Sequence, residues 1–435
     1  MSPPPRTARR TASSRSRAAS STPSRAVSAA FPGKRLVIAA GALKQRSNDT
    51  DYVFRAHSAF AHLTGWASDA EPDSLLVFEP TDAGHDITLY FRERADRTTT
   101  EFYADATIGE FWIGPRPALA GVAADLGVAT DHLDAFEAGD EDVTLDDAEL
   151  SRFVSELRLI KDEFEIAEMR RAVEITANGF DDIIRSLPQA IEHARGERVV
   201  EGVFHRRARE DGNGEGYDTI AASGPHACYL HWTRNDGTVV PGDLILVDAG
   251  VEADSLYTAD ITRTLPVSGT FTEVQRRVYE TVREAADAAF AAAQVGVPFR
   301  DVHGAAMQVI AARTAEWGLL PVTAEEALDA DAGGQHRRYM VHGTSHHLGI
   351  DVHDCAQARR EMYYDGVLEP GMVFTIEPGL YFQIDDLTVP AEYRGIGVRI
   401  EDDILMTAGG PVNLSAGIPR TADEVEAWIA RVQQA

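Results

Sequence analysis

The chain has 435 residues, 44% of them hydrophobic, and a formal net charge of −28. This length predicts two globular domains, and the acidic balance excludes a nucleic acid bound through its phosphates. No apolar run reaches the roughly 20 residues that a membrane-spanning helix needs, so no membrane association is predicted. Two cysteines, Cys228 and Cys355, are too few for a disulfide framework or a thiolate zinc site, which favours a reduced, cytoplasmic setting.

Residues 1–31 are rich in Pro, Ser, Ala and Arg and contain no acidic residue. Such a segment buries too little apolar surface to fold, so a disordered basic tail is predicted. The same composition also suits an organelle transit peptide, which stays open as an alternative.

A small α/β domain is predicted over residues 34–145, from short β-branched runs and from apolar residues at helical spacing. Strands are expected at 34–43, 74–80 and 86–93, and helices at 54–63 and 117–125. Periodic apolar residues then predict a linking helix over residues 146–162.

The second domain, residues 163–435, contains an internal near-repeat. Two pairs of helices are predicted, each followed by a strand-rich region that carries acids and histidines. The pairs are 165–187 with 197–210, and 274–294 with 299–313. This pattern predicts a duplicated unit of two helices and an antiparallel sheet, closing around a site between the halves.

Acidic residues interrupt strands that otherwise have the composition of buried ones. In residues 243–265, Asp248 ends one apolar strand and Asp260 begins a β-branched one. A buried carboxylate is costly unless it is paired or bound to a metal, and two close carboxylates repel each other. A shared cation would remove both problems, so a metal site is the first hypothesis.

Three further segments have the same character, and they follow in chain order. Residues 339–354 hold His342, His346, His347 and His353, residues 373–381 hold Glu377, and residues 395–407 hold Arg399 and Glu401. Glu377 ends an apolar run, whereas the alternation around Glu401 also fits an exposed strand face, and a single histidine is more often a core or surface residue.

Four carboxylates and one imidazole form a hard, oxygen-rich ligand set, which suits Mn²⁺ and tolerates Co²⁺, Fe²⁺ or Zn²⁺. Their charge exceeds what one divalent ion neutralises, so two ions are predicted. No HExxH, GxSxG or P-loop motif is present.

The order Asp, Asp, His, Glu, Glu, in the settings VDAG…TADITRT, SHHLGIDVHD, TIEPGLY and GIGVRIEDD, resembles the pita-bread metallopeptidases. This family includes Xaa-Pro aminopeptidase, prolidase and methionine aminopeptidase. The stretch RSNDTDYVFRAHSAFAHLTGW resembles the N-terminal domain of Xaa-Pro aminopeptidase. The resemblance extends from about residue 34 to the end of the chain, with Val53 at a common proline position and one extra residue in the turn at 251–257.

The resemblance implies a role for each matching residue. It makes Asp260 and Glu401 bridging ligands of two ions, and Glu377 both a ligand and the general base. The implied ligands are Asp248, Asp260, His346, Glu377 and Glu401, the implied catalytic histidines are His231, His342 and His353, and Tyr381 and Arg399 lie just outside the ligands.

The implied activity is removal of the first residue from peptides with proline in second position, by attack of a hydroxide that bridges the two ions. Prolidase, which takes Xaa-Pro dipeptides, shares all five ligands and is the alternative. A metal-free creatinase-like hydrolase and a non-enzymatic relative are both disfavoured, because each lacks part of the ligand set that this chain retains. A homo-oligomer, dimer or tetramer, is expected by analogy with the family.

Overall fold

A computed structural model describes residues 22–434 and divides the chain after Leu157 into two compact units. The first unit precedes the boundary and the second begins at Arg158. Within the described residues, no helix combines the length and the apolar composition that crossing a membrane requires.

The first unit is built on a mixed five-stranded sheet. Its elements are α1 (Thr22–Ala30), β1 (Leu36–Ala39), β2 (Gln45–Ser47), β3 (Thr50–Asp51), α2 (Ser58–Thr64), β4 (Leu75–Thr81), β5 (Gly84–Phe91), α3 (Thr100–Ala104), α4 (Glu110–Ile113), α5 (Leu119–Leu126), β6 (Ala129–His132), β7 (Val143–Thr144) and α6 (Ala148–Glu156). The strand order is β6-β5-β4-β1-β7, with β1, β4 and β5 antiparallel and the two edge strands parallel to their neighbours. Trp66 lies at the centre of the core and meets Phe91 edge to face at a centroid distance of 5.1 Å.

The start of this unit differs from the predicted disordered tail of residues 1–31. Residues 22–30 form helix α1, and Val27 and Phe31 are buried in the core of the first unit. The apolar side chains of this short stretch find partners that lie far along the sequence, so local composition does not reveal them. The rest of the predicted tail lies outside the described residues.

The second unit contains two helix pairs, each followed by antiparallel strands. Its elements are α7 (Glu163–Glu192), α8 (Gly196–Asp211), β8 (Gly214–Glu215), β9 (Ile220–Ser223), β10 (Leu244–Ala249), β11 (Val251–Glu252), β12 (Ile261–Pro266), α9 (Glu273–Ala292), α10 (Phe299–Glu316), α11 (Ala324–Leu328), β13 (Val373–Ile376), β14 (Gly379–Tyr381), β15 (Gly397–Arg399), β16 (Asp402–Thr407), β17 (Gly410–Asn413) and α12 (Ala422–Gln434).

The predicted duplication is confirmed in this unit. Helix α7 packs on α8 and helix α9 on α10, and the first helix of each pair begins with a capping box, at Asp162 and at Thr272. After the first pair, β9, β10 and β12 form an antiparallel sheet, and after the second pair β13, β16 and β17 form another. Strands β14 and β15 make a separate antiparallel pair.

These buried strands carry the acidic residues at their ends. Asp248 lies in β10 opposite Thr262 of β12, and Asp260 immediately precedes β12. Glu377 follows β13, and Glu401 lies between β15 and β16. The strands are buried along their whole length, and Asp248, Asp260 and Glu401 are buried with them, whereas Glu377 is partly exposed.

Candidate metal centre

Three of the predicted ligands converge on one point. Asp260, His346 and Glu401 each offer an oxygen or nitrogen atom, and these atoms all lie within 4.8 Å of one another. The Nε2 atom of His346 is 3.3 Å from Oδ2 of Asp260. These side chains come from distant segments, since Asp260 and Glu401 are 141 residues apart in the sequence.

Asp248 is joined to this group through Tyr217, a residue that the sequence analysis did not identify. The Tyr217 hydroxyl lies 2.7 Å from Oδ1 of Asp248 and 2.5 Å from Oδ1 of Asp260. It therefore lies between the first two predicted ligands. Tyr217 lies three residues before the buried strand β9. No sequence pattern there indicates that its hydroxyl contacts the predicted ligands.

Glu377 approaches the same group from the end of strand β13. Its Oε1 atom is 3.7 Å from Nε2 of His346, and its Oε2 atom is 3.6 Å from Nδ1 of His342. Its backbone N–H donates to the carbonyl of Thr344 at 2.8 Å, which ties the end of β13 to the histidine segment.

The imidazole of His346 is oriented as a metal ligand would be. Its Nδ1 atom lies 3.2 Å from the carbonyl oxygen of His347, to which an Nδ1–H donates. That bond leaves Nε2 facing Asp260 and Glu377, at the position where a metal ion would take the place of a proton. A metal-bound histidine commonly donates its other ring N–H to a carbonyl or carboxylate in this way.

Burial and mutual repulsion dominate the electrostatics of the centre. Burial, then repulsion from Asp260 and Glu377, raises the pKa of Glu401 well above its ordinary value. Burial is also the largest cause that raises the pKa values of Asp260 and Glu377, and repulsion from neighbouring carboxylates adds to it. For His346, burial lowers the pKa, but the bond to Asp260 and the charge of Glu377 outweigh it and raise the pKa. The carboxylates of this group therefore repel one another, and a cation between them would be favoured.

Arg399 is a buried cation that contacts this centre. It donates from Nη2 to Oδ2 of Asp248 at 2.5 Å, from Nη1 to the hydroxyl of Tyr381 at 3.2 Å, and from Nε to Oγ1 of Thr262 at 3.1 Å. Thr262 in turn donates its hydroxyl to Oε2 of Glu401 at 2.7 Å. Arg399 therefore orients one predicted ligand directly and another through Thr262.

A second residue that the sequence analysis missed is Asp403, one position into strand β16. The backbone N–H of Asp260 lies 3.3 Å from both of its carboxylate oxygens. Burial, and then the charge of Asp260, raises the pKa of Asp403 well above its ordinary value. In the run EDDIL, the sequence offers no means of separating Asp403 from an exposed acid.

The predicted histidines surround a cavity of about 530 Å³ that opens onto the centre. His231, His342 and His353 all line it. His342 Nε2 lies 2.8 Å from the Tyr381 hydroxyl, and burial, followed by the charge of Arg399, lowers its pKa to about 3. The His353 ring lies 4.4 Å from that of His346, nearly perpendicular to it.

His347 does not belong to this group, although it is the immediate neighbour of His346. Its ring is fully buried and lies 4.6 Å from the rings of both Phe299 and Tyr363. Residue 347 forms a β-bridge with Phe374, and its ring packs against Phe299 and Tyr363, whereas the ring of His346 lines the cavity. It acts as an aromatic core residue.

The donor set fits divalent metal ions. Asp248, Asp260, Glu377 and Glu401 supply carboxylate oxygens, and His346 supplies a correctly oriented nitrogen. Oxygen-rich sites of this kind bind hard or borderline divalent cations, whose charge would relieve the repulsion that raises the carboxylate pKa values.

Comparison with known proteins identifies the family. Residues 167–408, more than half of the chain, match Metallopeptidase family M24, and residues 14–140 match the Aminopeptidase P, N-terminal domain. Xaa-Pro aminopeptidase 1 of Streptomyces coelicolor is 52% identical, over 94% of this chain and 86% of its own length. Xaa-Pro aminopeptidase of Escherichia coli is 33% identical, over 93% of this chain and 95% of its own.

Solved structures agree with the sequence matches and confirm the predicted fold. Aminopeptidase PepP of Pseudomonas aeruginosa superimposes with a TM-score of 0.80 at 29% identity, covering 94% of this chain and 97% of its own. A substrate complex of a variant Escherichia coli aminopeptidase P gives a TM-score of 0.79 at 30% identity, covering 95% and 98%. The chain is a hydrolase that belongs to the Xaa-Pro aminopeptidases of metallopeptidase family M24.

Proposed function

We propose that this chain is a metal-dependent aminopeptidase that removes the first residue from peptides with proline in second position. The observation that carries the proposal is the cluster of four carboxylates, three buried and one partly exposed, and one oriented imidazole beside a cavity of about 530 Å³. Relatives named Xaa-Pro aminopeptidase, one of them 52% identical, supply the substrate class. Prolidase, restricted to dipeptides, is the alternative.

The proposed ligands are the five residues predicted from the sequence. Asp260 and Glu401 would be shared between two ions, most favourably Mn²⁺, and Arg399 and Tyr217 would hold Asp248 in place. When bound, the ions would supply a Lewis acid and lower the pKa of a water molecule. The proposed ligands are Asp248, Asp260, His346, Glu377 and Glu401.

Glu377 is the proposed general base. Its carboxylate lines the cavity and lies 3.7 Å from Nε2 of His346, within reach of a water molecule held among the proposed ligands. It would accept the proton of the attacking water and pass it to the leaving proline nitrogen.

His342 and His353 are proposed to stabilise the transition state. His342 is neutral, because burial and Arg399 lower its pKa to about 3, and its ring nitrogens lie beside Glu377 and Tyr381. Because the Nδ1–H of His342 donates to the Gly343 carbonyl at 2.7 Å, its Nε2 accepts from the Tyr381 hydroxyl, and His342 would act by positioning that hydroxyl. An imidazole N–H of His353, which also lines the cavity, would donate to the oxygen that becomes negative as the carbonyl is attacked. His231 would line the substrate side of the same cavity.

The experiment compares two substrate lengths and measures metal content. Purified protein loaded with Mn²⁺ is assayed on an Xaa-Pro-Yaa tripeptide and on the Xaa-Pro dipeptide. Cleavage of the tripeptide at the Xaa-Pro bond is expected. Cleavage of the dipeptide alone would establish the prolidase alternative, and absence of metal uptake would rule out both.

Two variants test the ligand assignment. Asp260→Ala and Glu401→Ala should each lose bound metal and activity together. Asp254→Ala is the matched control, because Asp254 is an exposed acid in the same connection between β10 and β12. Full metal content and activity in Asp260→Ala or Glu401→Ala would refute the assignment.

The oligomeric state and the cytoplasmic location remain predictions. Sedimentation of the purified chain would test the expected dimer or tetramer.

A further inference from the structure

We propose that Glu197 is a positioning residue for His231. This proposal rests on the proposed function in one respect, because the role of His231 at the substrate side of the cavity comes from there. The "His231 loop" denotes residues 223–237, which leave strand β9 and lead toward β10.

The His231 loop needs support from outside, since His231 itself is exposed and lines the cavity. The backbone carbonyl of His231 accepts a hydrogen bond from the N–H of Thr233 at 3.0 Å. The position of the imidazole is therefore set by the path of the loop backbone.

Glu197 supplies that support from helix α8. Its side chain is fully buried and accepts four hydrogen bonds, all from the His231 loop. Oε1 accepts from the Ser223 backbone N–H at 2.8 Å and from His226 Nδ1 at 2.7 Å, and Oε2 accepts from the Trp232 indole at 2.9 Å and from the Gly237 backbone N–H at 2.7 Å.

These four donors span the loop from one end to the other. Ser223 and Gly237 are its two ends, and Trp232 is the residue next to His231. The Trp232 ring also stacks on that of His226, with centroids 3.9 Å apart and planes 26° from parallel. One carboxylate thus fixes both ends of the loop and the neighbour of the imidazole.

The close packing at Gly237 shows how tightly the carboxylate is enclosed. A Cβ atom at this position would lie 2.7 Å from the His226 ring and 2.8 Å from the Glu197 carboxyl carbon. Glycine is therefore required for the backbone N–H to reach Glu197.

The chemistry of the contact requires a carboxylate. Two carboxylate oxygens together accept about four hydrogen bonds, which matches the four donors here. Glutamine has the same shape but presents an NH₂ group to two of those donors, so Glu197→Gln should release part of the loop while leaving the helix intact.

Activity in a double-mutant cycle gives the first test. The value of kcat/KM on the tripeptide is measured for wild type, Glu197→Gln, His231→Ala and the double variant, with bound metal measured in each. Glu197→Gln should lower kcat/KM roughly 10- to 100-fold with metal content unchanged, because a displacement of about 1 Å has effects of this order. In the His231→Ala background the same change should lower it by less than about 3-fold.

Two further variants control for general damage. Glu201→Gln, one turn along the same helix, should leave kcat/KM unchanged. Trp232→Phe keeps an aromatic side chain and removes the indole N–H donor, so it should give a smaller loss that also disappears in the His231→Ala background. It carries the test if Glu197→Gln does not fold.

Hydrogen exchange provides a readout that is independent of activity. Backbone exchange across residues 223–237 should accelerate in Glu197→Gln and stay at the wild-type rate in Glu201→Gln. Unchanged exchange in the loop, or losses in kcat/KM that simply add in the double variant, would overturn the proposal. An inactive wild-type enzyme would instead refute the proposed function, and the exchange experiment would still decide the role of Glu197.

Discussion

Replacing Asp354 by asparagine should destabilise the second unit strongly. Asp354 is 1% exposed and follows His353 directly. Its Oδ1 atom accepts from Arg158 Nε at 2.9 Å, and its Oδ2 atom accepts from Lys161 Nζ at 3.2 Å. Both cations are also buried, so the substitution leaves two buried positive charges without this partner.

The size of the effect follows from that burial. Removing one partner of a buried ion pair generally lowers the free energy of unfolding by about 3–5 kcal/mol. For a unit of this size, each kcal/mol corresponds to a shift of about 2–4 °C in the midpoint of thermal unfolding. Asp354→Asn should therefore lower the midpoint by about 6–20 °C.

Asp351→Asn is the matched control, since it removes a second carboxylate from the same arginine. Asp351 lies 3.4 Å from Arg158 Nη2, and its side chain is 34% exposed. Partly exposed pairs contribute about 0–1 kcal/mol, so its midpoint should fall by less than about 4 °C. Thermal unfolding of both variants by circular dichroism makes the comparison. Equal shifts in the two variants would refute the argument from burial.

The remaining predictions concern pH and the metal centre. Burial alone would raise the pKa of Asp354, but Arg158 and Lys161 outweigh it and lower the pKa. The stability that this carboxylate contributes is therefore present above its unfolded pKa of about 3.9 and is lost as pH falls through the lower folded pKa. Urea titrations should show that wild type is more stable than Asp354→Asn by a constant free energy of unfolding from about pH 5 to 8. This difference should shrink below about pH 4. Tyr217→Phe removes the hydroxyl that contacts Asp248 and Asp260 and should weaken metal binding about 10- to 100-fold, as measured by competition with a chelator; an unchanged affinity would show that Tyr217 does not orient these carboxylates. Chelation of wild type should abolish activity and lower the unfolding midpoint, and added Mn²⁺ should restore both, whereas a fully active metal-free enzyme would contradict the metal mechanism.

The sequence predicted the helices and the general location of the centre because both have local patterns. Apolar residues at helical spacing marked residues 165–187, and the structure extends that helix to Glu163–Glu192. Acids at the ends of apolar strands marked Asp248, Asp260 and Glu377, because an unpaired buried carboxylate is costly enough to need a partner. Glu401 was less distinct, since alternation in its strand also fitted an exposed face.

The partners of these residues were beyond the reach of sequence patterns. His346 and His347 are adjacent and chemically identical, yet packing places the first at the cavity and the second among the rings of the core. Tyr217 and Glu197 act through contacts with residues 26 to 43 positions away, among them Ser223 and Asp260. Such contacts depend on how the strands and helices pack, and no local periodicity encodes them.

The two halves of the duplicated unit each contribute to the proposed metal site. Asp248 and Asp260 follow the first helix pair, whereas His346, Glu377 and Glu401 follow the second. Metal bound there would act as a reversible cross-link between the halves, adding about 2.7 kcal/mol of stability at a free metal concentration 100 times its dissociation constant. Resistance of the folded chain to proteolysis would then rise and fall with the supply of free metal, so the lifetime of the enzyme and its activity would depend on the same ions.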